Sequence, residues 1–261
     1  MKEICLVGNS HVAALKMGLD AWQAEHTLAD CAIDIFGSRA KKMSRARVHQ
    51  GEVQANGNDP GAEWDFRAGT RPRLHLDSYD EIYFTVGTRP TEYPHFNPRF
   101  ILNFIDSERP LRPWSQAVVS RIVEHTVFEQ WFSPLLRDMI QQSARPVIHF
   151  LGCPFWSTED RRARALQSRI DALPQAHQAL SRLQEQVEIA VQGLETARLK
   201  IPAPPAGVLN ALGTFTDHAY CTESMRLTED FDRGHGPRDF RHMNAAYGRE
   251  IIRNILRGAA R

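Results

Sequence analysis

The sequence contains neither a long apolar run nor an excess of charge of one sign. No stretch of the 261 residues reaches the roughly 18 consecutive apolar residues of a membrane-spanning helix. Met1-Lys2-Glu3 leads directly into a strand-like segment, so we expect no signal peptide and a cytoplasmic protein. The chain has 32 basic and 31 acidic residues, a net charge of +1. Such a balance provides no basic field for nucleic acid and no polybasic segment for a membrane surface.

Cysteines are few and lie far apart. The four, Cys5, Cys31, Cys153 and Cys221, show no Cys-x-x-Cys spacing, so we expect buried free thiols and neither a disulfide nor a zinc site. The eleven histidines are scattered, without the spacing of a zinc motif. The glycines form neither a Gly-x-Gly-x-x-Gly motif nor a phosphate-binding loop. The sequence therefore predicts no metal and no nucleotide cofactor.

Short apolar runs alternate with segments of helical periodicity. We expect strands at about 4–7, 32–36, 81–86, 146–151 and 197–201, and helices at about 12–26 and 114–142. The alternation predicts an α/β protein of the flavodoxin-like three-layer α/β/α type, with a five-stranded parallel sheet. Ligands of such sheets bind beyond the carboxyl ends of the strands. Glycines follow four of the predicted strands, namely Gly8, Gly37, Gly87 and Gly152.

The length agrees with a single domain over residues 1–261 that carries three inserted segments. Residues 38–78 are polar with little periodicity, and we expect a long loop over the site edge. Residues 91–113 are rich in aromatics and prolines, for which packing on the body is favoured over forming a pocket wall. Residues 157–195 have an amphipathic helical pattern broken near Pro174, which predicts a helical hairpin that covers the sheet or meets a partner subunit. The oligomeric state is not predicted.

A serine lies at the corner between the first strand and the first helix, in Gly8-Asn9-Ser10-His11. One interpretation is that Ser10 is the N-cap of the helix, the most frequent role of a serine at such a corner. The other is that Ser10 is a nucleophile, because the free N–H groups and the helix dipole at this position favour negative charge. His11 is expected to be a pocket wall or a packing residue, since adjacent residues point apart.

A second motif lies near the end of the chain. Asp239 precedes His242 by three residues, on the turn that opens the last predicted helix. An aspartate at this spacing can bring its carboxylate to the imidazole and fix the tautomer, as a serine triad requires. His235 lies nearby in Gly234-His235-Gly236-Pro237 and is the alternative proton acceptor if Asp239 faces elsewhere. We rank His242 first.

The corner and the Asp-x-x-His pair together resemble the SGNH (GDSL-like) hydrolase family. In that family a Gly-Asp/Asn-Ser corner follows strand one, and Asp-x-x-His precedes the last helix. The resemblance spans the chain and implies the SGNH hydrolase fold, with a catalytic triad of Ser10 as nucleophile, His242 as general base and Asp239 as orienting partner. It also implies, by position after strand two, that the N–H of Gly37 joins that of Ser10 in facing the oxyanion.

The third sequence block departs from the family. The family has Gly-x-Asn-Asp after strand three, with the Asn amide as an oxyanion donor, whereas this chain has Gly87-Thr88-Arg89-Pro90. Arg89 stands in place of the asparagine, and its guanidinium is a candidate donor to the oxyanion or a ligand for an anionic group of the substrate. The alternative is a solvated loop arginine. Residues expected on the substrate side are Asn9, His11, Gly87 and Arg89.

The resemblance implies a serine esterase that cleaves an O-acyl ester through an acyl-serine intermediate. The resemblance implies a broad substrate class of O-acetyl groups on carbohydrates, lipid esters or thioesters, among which an O-acetyl ester of a carbohydrate or another small molecule is expected, and no cofactor is required. Two alternatives stay open. The same serine chemistry with a sugar hydroxyl in place of water makes an O-acyltransferase. The missing asparagine favours a non-catalytic member of the fold that binds a glycan or a partner protein.

Overall fold

The computed structural model describes residues 1–28, 30–57, 62–86, 114–152, 154–173, 176–227, 234–236, 239 and 242–259. Within these ranges the strands are β1 (Lys2–Gly8), β2 (Cys31–Gly37), β3 (Arg47–His49), β4 (Glu52–Gln54), β5 (Phe66–Ala68), β6 (Leu74–His75), β7 (Glu81–Thr85), β8 (Val147–Phe150) and β9 (Leu199–Lys200). The α-helices are α1 (Val12–Gln23), α2 (Ala40–Met43), α3 (Gln116–Phe128), α4 (Ser133–Gln142), α5 (Arg161–Ala172), α6 (Ala176–Leu194) and α7 (Ala245–Ala259). No helix of the described ranges has the length and hydropathy needed to cross a membrane.

The central sheet has six strands in the order β5-β2-β1-β7-β8-β9. Five of them, β2, β1, β7, β8 and β9, are parallel. Numbered along the chain, these five have the order 2-1-3-4-5, which is the flavodoxin-like order. The predicted α/β class is therefore confirmed. The sixth strand, β5, pairs antiparallel with β2 at the edge, so the sheet has one strand more than predicted.

Strand β1 explains why helices cover both faces of the sheet. Its central residues Ile4, Cys5, Leu6 and Val7 are all fully buried. Because the side chains of a strand alternate, Ile4 and Leu6 face one side, where they pack with residues of α1 and α7. Cys5 and Val7 face the other side, where they belong to a core that includes residues of α3, α4, α5 and α6. The sheet is thus the middle layer of an α/β/α arrangement.

Residues 38–78 differ from the predicted loop. They contain the short helix α2, the edge strand β5 and a separate antiparallel sheet of order β3-β4-β6. Each of these strands is only two or three residues long and buries a single side chain, such as Val48, Val53 or Leu74. A pattern this short gives too few alternations to be recognised as a strand in the sequence.

Two helical segments were expected at 114–142 and 157–195. The first is two helices, α3 and α4, so the prediction of one continuous helix is wrong. The break comes before Ser133-Pro134, because proline lacks an N–H and is tolerated in the first turn of a helix rather than in its interior. The second segment contains α5 and α6, and the predicted helical character of 157–195 is confirmed. The segment 91–113 lies outside the described residues.

The three described cysteines, Cys5, Cys31 and Cys221, are free and buried. Burial raises the pKa of each thiol above its usual value, to about 12 for Cys221. A thiol is nucleophilic only as the thiolate, so these cysteines are poor nucleophiles near neutral pH. The predicted buried free thiols are found at these three positions, whereas Cys153 lies outside the described residues.

Helices α1 and α7 cross at a pair of glycines. A Cβ atom added to Gly248 would lie 1.7 Å from the carbonyl oxygen of Ala14, and one added to Gly18 would lie 2.1 Å from the carbonyl carbon of Gly248. Both obstacles are backbone atoms, so the helices can approach this closely only without side chains at the crossing. The crossing brings the last helix onto the first, which begins two residues after Ser10.

A charged cluster surrounds Glu81 at the beginning of β7. Tyr83 Oη donates a hydrogen bond of 2.8 Å to its carboxylate, and Lys2 Nζ lies 2.7 Å from it. His149 Nε2 lies 3.7 Å away and its ring stacks on Tyr83. Burial opposes ionisation of Glu81, but the interactions with His149, Lys2 and Tyr83 outweigh burial and lower the pKa of Glu81 to about 2.

We expect the free energy of unfolding of Glu81→Gln to vary less with pH than that of the wild type. The pKa of Glu81 is about 2 in the folded chain against an ordinary 4.5, so its contribution is present above pH 4.5 and is lost as the pH falls toward 2. The upper limit of that contribution is about 3 kcal/mol. Urea unfolding at pH 7 and pH 3 measures the difference in the free energy of unfolding between wild type and variant, and the exposed Glu124→Gln is the control. A difference that is the same at both pH values contradicts this assignment.

Candidate active site

The corner after β1 requires a glycine. A Cβ at Gly8 would lie 1.9 Å from the carbonyl oxygen of Thr85, a backbone atom of the neighbouring strand β7. The next residue continues this contact, because the N–H of Asn9 donates to the same carbonyl at 3.1 Å. Asn9 is fully buried, and its Oδ1 accepts a hydrogen bond from the N–H of His11 at 3.3 Å. These bonds make Asn9 a residue that shapes the corner, and its burial argues against the predicted contact with a substrate.

The side chain of Ser10 faces His242, near the end of the sequence, rather than the first turn of α1. Its Oγ lies 3.0 Å from Nε2 of His242. The N-cap position of α1 is occupied by His11, without a side-chain capping bond. Of the two interpretations of Ser10, the geometry therefore favours the one in which its hydroxyl contacts a base. Among the described residues, no backbone hydrogen bond uses the N–H of Ser10 as donor.

Asp239 and His242 form the predicted pair. The Oδ2 of Asp239 lies 2.9 Å from Nδ1 of His242, and its Oδ1 accepts the backbone N–H of His242 at 3.2 Å. Because an ionised carboxylate only accepts hydrogen bonds, Nδ1 carries the ring proton and Nε2 is left as an acceptor toward Ser10. The three residues are thus linked in one hydrogen-bonded chain from the carboxylate to the hydroxyl.

Two further histidines flank the ring of His242. The ring of His235 stacks on it at a centroid distance of 3.8 Å and an interplanar angle of 8°. The ring of His11 lies 5.2 Å away at 24° and is nearly buried. From the sequence, His235 is the alternative proton acceptor, and His11 is expected to point away from Ser10. The structure places His242 next to Ser10 and both other rings against His242.

Gly37 is the last residue of β2, close to the beginning of α1. The N–H of Ser38 donates to the carbonyl of Gly8 at 3.1 Å. Because successive amides of a strand point to opposite sides in the plane of the sheet, the N–H of Gly37 is directed toward β5, where Phe66 lies opposite. This register argues against the predicted role of Gly37 as an oxyanion donor. An added Cβ at Gly37 would lie 2.8 Å from Cγ1 of Val12, so packing accounts for the glycine.

A small apolar slot lies beside His11 at the carboxyl edge of the sheet. Its volume is about 30 Å³. The lining is mostly apolar and includes Leu15, Leu151, Pro154, Pro202, Pro204, Tyr247 and Ile251. Pro202 and Pro204, which follow β9, thus line a slot at the edge of the sheet, and no motif in the sequence indicates this role.

His235, Asp239 and His242 also bring metal-ligating atoms within 4.8 Å of one another. A metal bound by imidazole lies in the plane of the ring, at about 2.0–2.1 Å from the nitrogen. The two rings here are parallel and 3.8 Å apart, so both Nδ1 atoms cannot point at one ion. The arrangement fits the hydrogen bond between Asp239 and His242, with the ring of His235 stacked beside it, better than a metal centre. Gly87 and Arg89, the other predicted site residues, lie outside the described residues.

Comparison with known proteins gives only a distant structural similarity. No family model matches it, and no curated protein matches it. Among solved structures, a DUF4886 family protein from Bacteroides uniformis ATCC 8492 is similar over 95% of this chain and 78% of that chain, at 10% sequence identity and a TM-score of 0.35. The Bacteroides protein is a distant structural neighbour, and a likeness at that level says nothing about function.

Proposed function

We propose that this protein is a serine ester hydrolase of the SGNH type, which cleaves an O-acyl ester through an acyl-serine intermediate. The observation that carries the proposal is the hydrogen-bonded chain from Ser10 Oγ to His242 Nε2 and from His242 Nδ1 to Asp239, at 3.0 and 2.9 Å. The three residues occupy the positions that the resemblance to the SGNH family implies. The order of the five parallel strands also agrees with the flavodoxin-like type that the sequence predicts.

In the proposed reaction, Oγ of Ser10 attacks the ester carbonyl carbon while its proton passes to Nε2 of His242. The same proton then passes to the alcohol oxygen as the C–O bond breaks, which leaves the acyl group on Ser10. Water attacks the acyl carbon and gives a proton to Nε2, and this proton returns to Oγ as the carboxylic acid leaves. Asp239 stabilises the imidazolium that forms in both halves of the reaction.

The oxyanion donor in this proposal is the N–H of Ser10. It has no acceptor among the described residues, and it lies at the N-terminal end of α1. The free amides and the dipole at a helix N-terminus stabilise a developing negative charge. We propose Arg89 as a further group on the substrate side, either a donor to the oxyanion or a ligand for an anionic part of the substrate.

We further propose an acetyl ester of a carbohydrate or another small molecule as the substrate class. The small, mostly apolar slot beside His11 supports this choice, because its lining favours a short apolar acyl group over a charged one. Ester substrates of increasing acyl length test this part of the proposal. We expect acetyl esters to be cleaved faster than butyryl or longer esters, and equal rates would contradict it.

Labelling by a fluorophosphonate probe tests the proposed function, because only an activated serine reacts. We expect one equivalent of probe on Ser10, located by peptide mass spectrometry, and ester cleavage that the probe abolishes. Assays with and without a sugar acceptor then distinguish water from a sugar hydroxyl as the acyl acceptor. A folded wild type that neither reacts with the probe nor cleaves esters would favour a non-catalytic binding protein.

We expect substitutions of the proposed base and of its carboxylate partner to lower the activity by different amounts. His242→Ala removes the proton acceptor and is expected to lose nearly as much activity as loss of the serine. Asp239→Asn keeps the shape and one oxygen of the side chain, and it is expected to lose less than His242→Ala, because the orienting carboxylate is the least costly member of such a unit. Initial rates on an acetyl ester give the ranking. A larger loss in Asp239→Asn than in His242→Ala would contradict these roles.

A further inference from the structure

The segment that carries the proposed base is bound to a short 3₁₀ turn, His218–Tyr220. Two residues after His242, the backbone N–H of Asn244 donates to the carbonyl of Tyr220 at 2.9 Å. The side chain of Asn244 makes a second bond to this turn, from Nδ2 to the carbonyl of Ala219 at 2.8 Å. Because both bonds join one residue to the same turn, the backbone next to His242 has a defined position relative to it.

Asn244 is also the N-cap of the last helix. Its Oδ1 accepts a hydrogen bond from the backbone N–H of Tyr247 at 3.1 Å, and its carbonyl accepts the N–H of Gly248 at 3.1 Å. These are the bonds of an N-cap residue whose helix begins at Ala245. The partners determine which amide atom is the oxygen, because a carbonyl only accepts and an N–H only donates. One amide group thus links the first turn of α7 to the 3₁₀ turn.

The 3₁₀ turn is itself held on the body of the protein. The N–H of Asp217 donates to the carbonyl of Val208 at 3.0 Å, and the carboxylate of Asp217 caps the turn by accepting the N–H of Ala219 at 2.9 Å. Next to the turn, the buried side chains of Cys221 and Met243 place their sulfur atoms 3.5 Å apart. The turn is therefore a fixed support for the segment that begins at His242.

Capping of α7 does not account for the bond from Nδ2 of Asn244 to Ala219. Serine and aspartate cap helices about as well as asparagine, with an oxygen acceptor alone. Asparagine differs in having an acceptor and an N–H donor on two separate atoms, so it can bond the helix and a second element at once. The second bond restrains the end of α7 nearest His242, whereas the crossing of Gly18 and Gly248 restrains the distance between α7 and α1.

We infer that Asn244 is a positioning residue for the proposed base. Its side-chain amide holds the beginning of α7 on the 3₁₀ turn, so that Nε2 of His242 stays 3.0 Å from Oγ of Ser10. The inference rests on the proposed function for the identity of the base and the nucleophile. It assigns no contact with the substrate to Asn244, whose effect is exerted through His242.

Asn244→Ser separates the bond to the turn from the N-cap. Serine keeps an acceptor for the N–H of Tyr247 and has no N–H for the carbonyl of Ala219. We expect kcat for an acetyl ester to fall by about tenfold with little change in KM, because misplacement of the base acts on the chemical step. The matched control is Asp160→Ala, which removes the N-cap bond of α5 to the N–H of Arg162.

The control lies in the helical layer on the opposite face of the sheet from α7. Asp160→Ala should lower the midpoint of urea unfolding and keep the parental kcat, since it costs a cap and leaves the 3₁₀ turn unchanged. Asn244→Ser should unfold at a urea concentration no lower than this control. A parental kcat in Asn244→Ser would overturn the inference, as would an equal loss of kcat in Asp160→Ala.

A readout that does not depend on turnover is the ¹⁵N chemical shift of Nε2 of His242, which responds to the hydrogen bond with Ser10. Ser10→Ala gives the shift of the ring without that bond. We expect Asn244→Ser to move the signal toward this value and Asp160→Ala to leave it in place. An unmoved signal in Asn244→Ser would overturn the inference, whatever the kcat of the variant. If wild type neither cleaves esters nor reacts with the fluorophosphonate, the proposed function fails, and the signal still decides whether Asn244 positions His242.

Discussion

The Ser10→Ala variant is expected to lose ester cleavage almost completely, with kcat/KM lower by about 10⁴-fold or more. In the proposed mechanism the hydroxyl forms the acyl-enzyme, and no other side chain among the described residues is bonded to Nε2 of His242. The remaining oxyanion donor and binding contacts explain why a trace of activity survives in such variants. Initial rates on a small aryl acetate, together with loss of fluorophosphonate labelling, measure the effect.

The same substitution should leave the fold intact. Within the described part of the chain Ser10 makes one side-chain hydrogen bond, to a partly exposed partner, so its loss is expected to change the free energy of unfolding by about 1 kcal/mol. Ser181→Ala, at an exposed position on α6, is the control for serine removal and should keep full activity. A folded Ser10→Ala protein that turns over esters at the parental rate would eliminate the proposed mechanism.

The arrangement of the central sheet follows from features that are visible in the sequence. Ile4, Cys5, Leu6 and Val7 form an uninterrupted apolar run, and such a strand must be covered on both faces. Parallel strands with helical connections are the structure that provides this cover. The strands at 81–86 and 146–151 have the same character. The observed order of the five parallel strands agrees with the predicted flavodoxin-like type, although the apolar runs themselves do not determine it.

The inserted segment 38–78 could not be predicted because its structure depends on partners distant in sequence. The small sheet pairs Val48 with Val53 and Val53 with Leu74, and each strand is too short to show a period of two. Strand β5 exists because the edge of β2 is available to pair with it. Likewise, the pattern of α3 continues through Trp131 and Phe132, which are packed in the core although they lie between two helices.

The sequence indicated the three hydrogen-bonded residues of the candidate site, but it did not indicate the residues that surround them. The spacing of Asp239 and His242 determines that carboxylate and imidazole can meet, and the corner places Ser10 at the sheet edge. The flanking of His242 by His11 and His235 has no such local cause. The rule that adjacent residues point apart holds within helices and strands, whereas Ser10 and His11 both lie in the turn before α1. That turn directs both side chains toward His242.

The crossing of α1 and α7 is where a single added methyl group should damage both stability and activity. We expect Gly248→Ala to lower the free energy of unfolding by about 3 kcal/mol, at the upper end of the cost of overpacking. The reason is that the new Cβ would lie 1.7 Å from the carbonyl oxygen of Ala14, and a helix backbone cannot move aside as a side chain can. The helices must separate, and urea unfolding measures the cost.

Separation of these helices should also change the geometry of the candidate site. Ser10 lies two residues before α1 and His242 three residues before α7, so a shift of one helix lengthens the 3.0 Å contact between Oγ and Nε2. We therefore expect the folded fraction of Gly248→Ala to show a lower kcat, because misplacement of about 1 Å can cost on the order of a hundredfold in rate. Gly258→Ala is the matched control, since it lies in the same helix with open space around its Cβ and should gain up to about 1 kcal/mol from helix propensity. Parental stability and activity in Gly248→Ala would mean that the crossing does not determine the distance between Ser10 and His242.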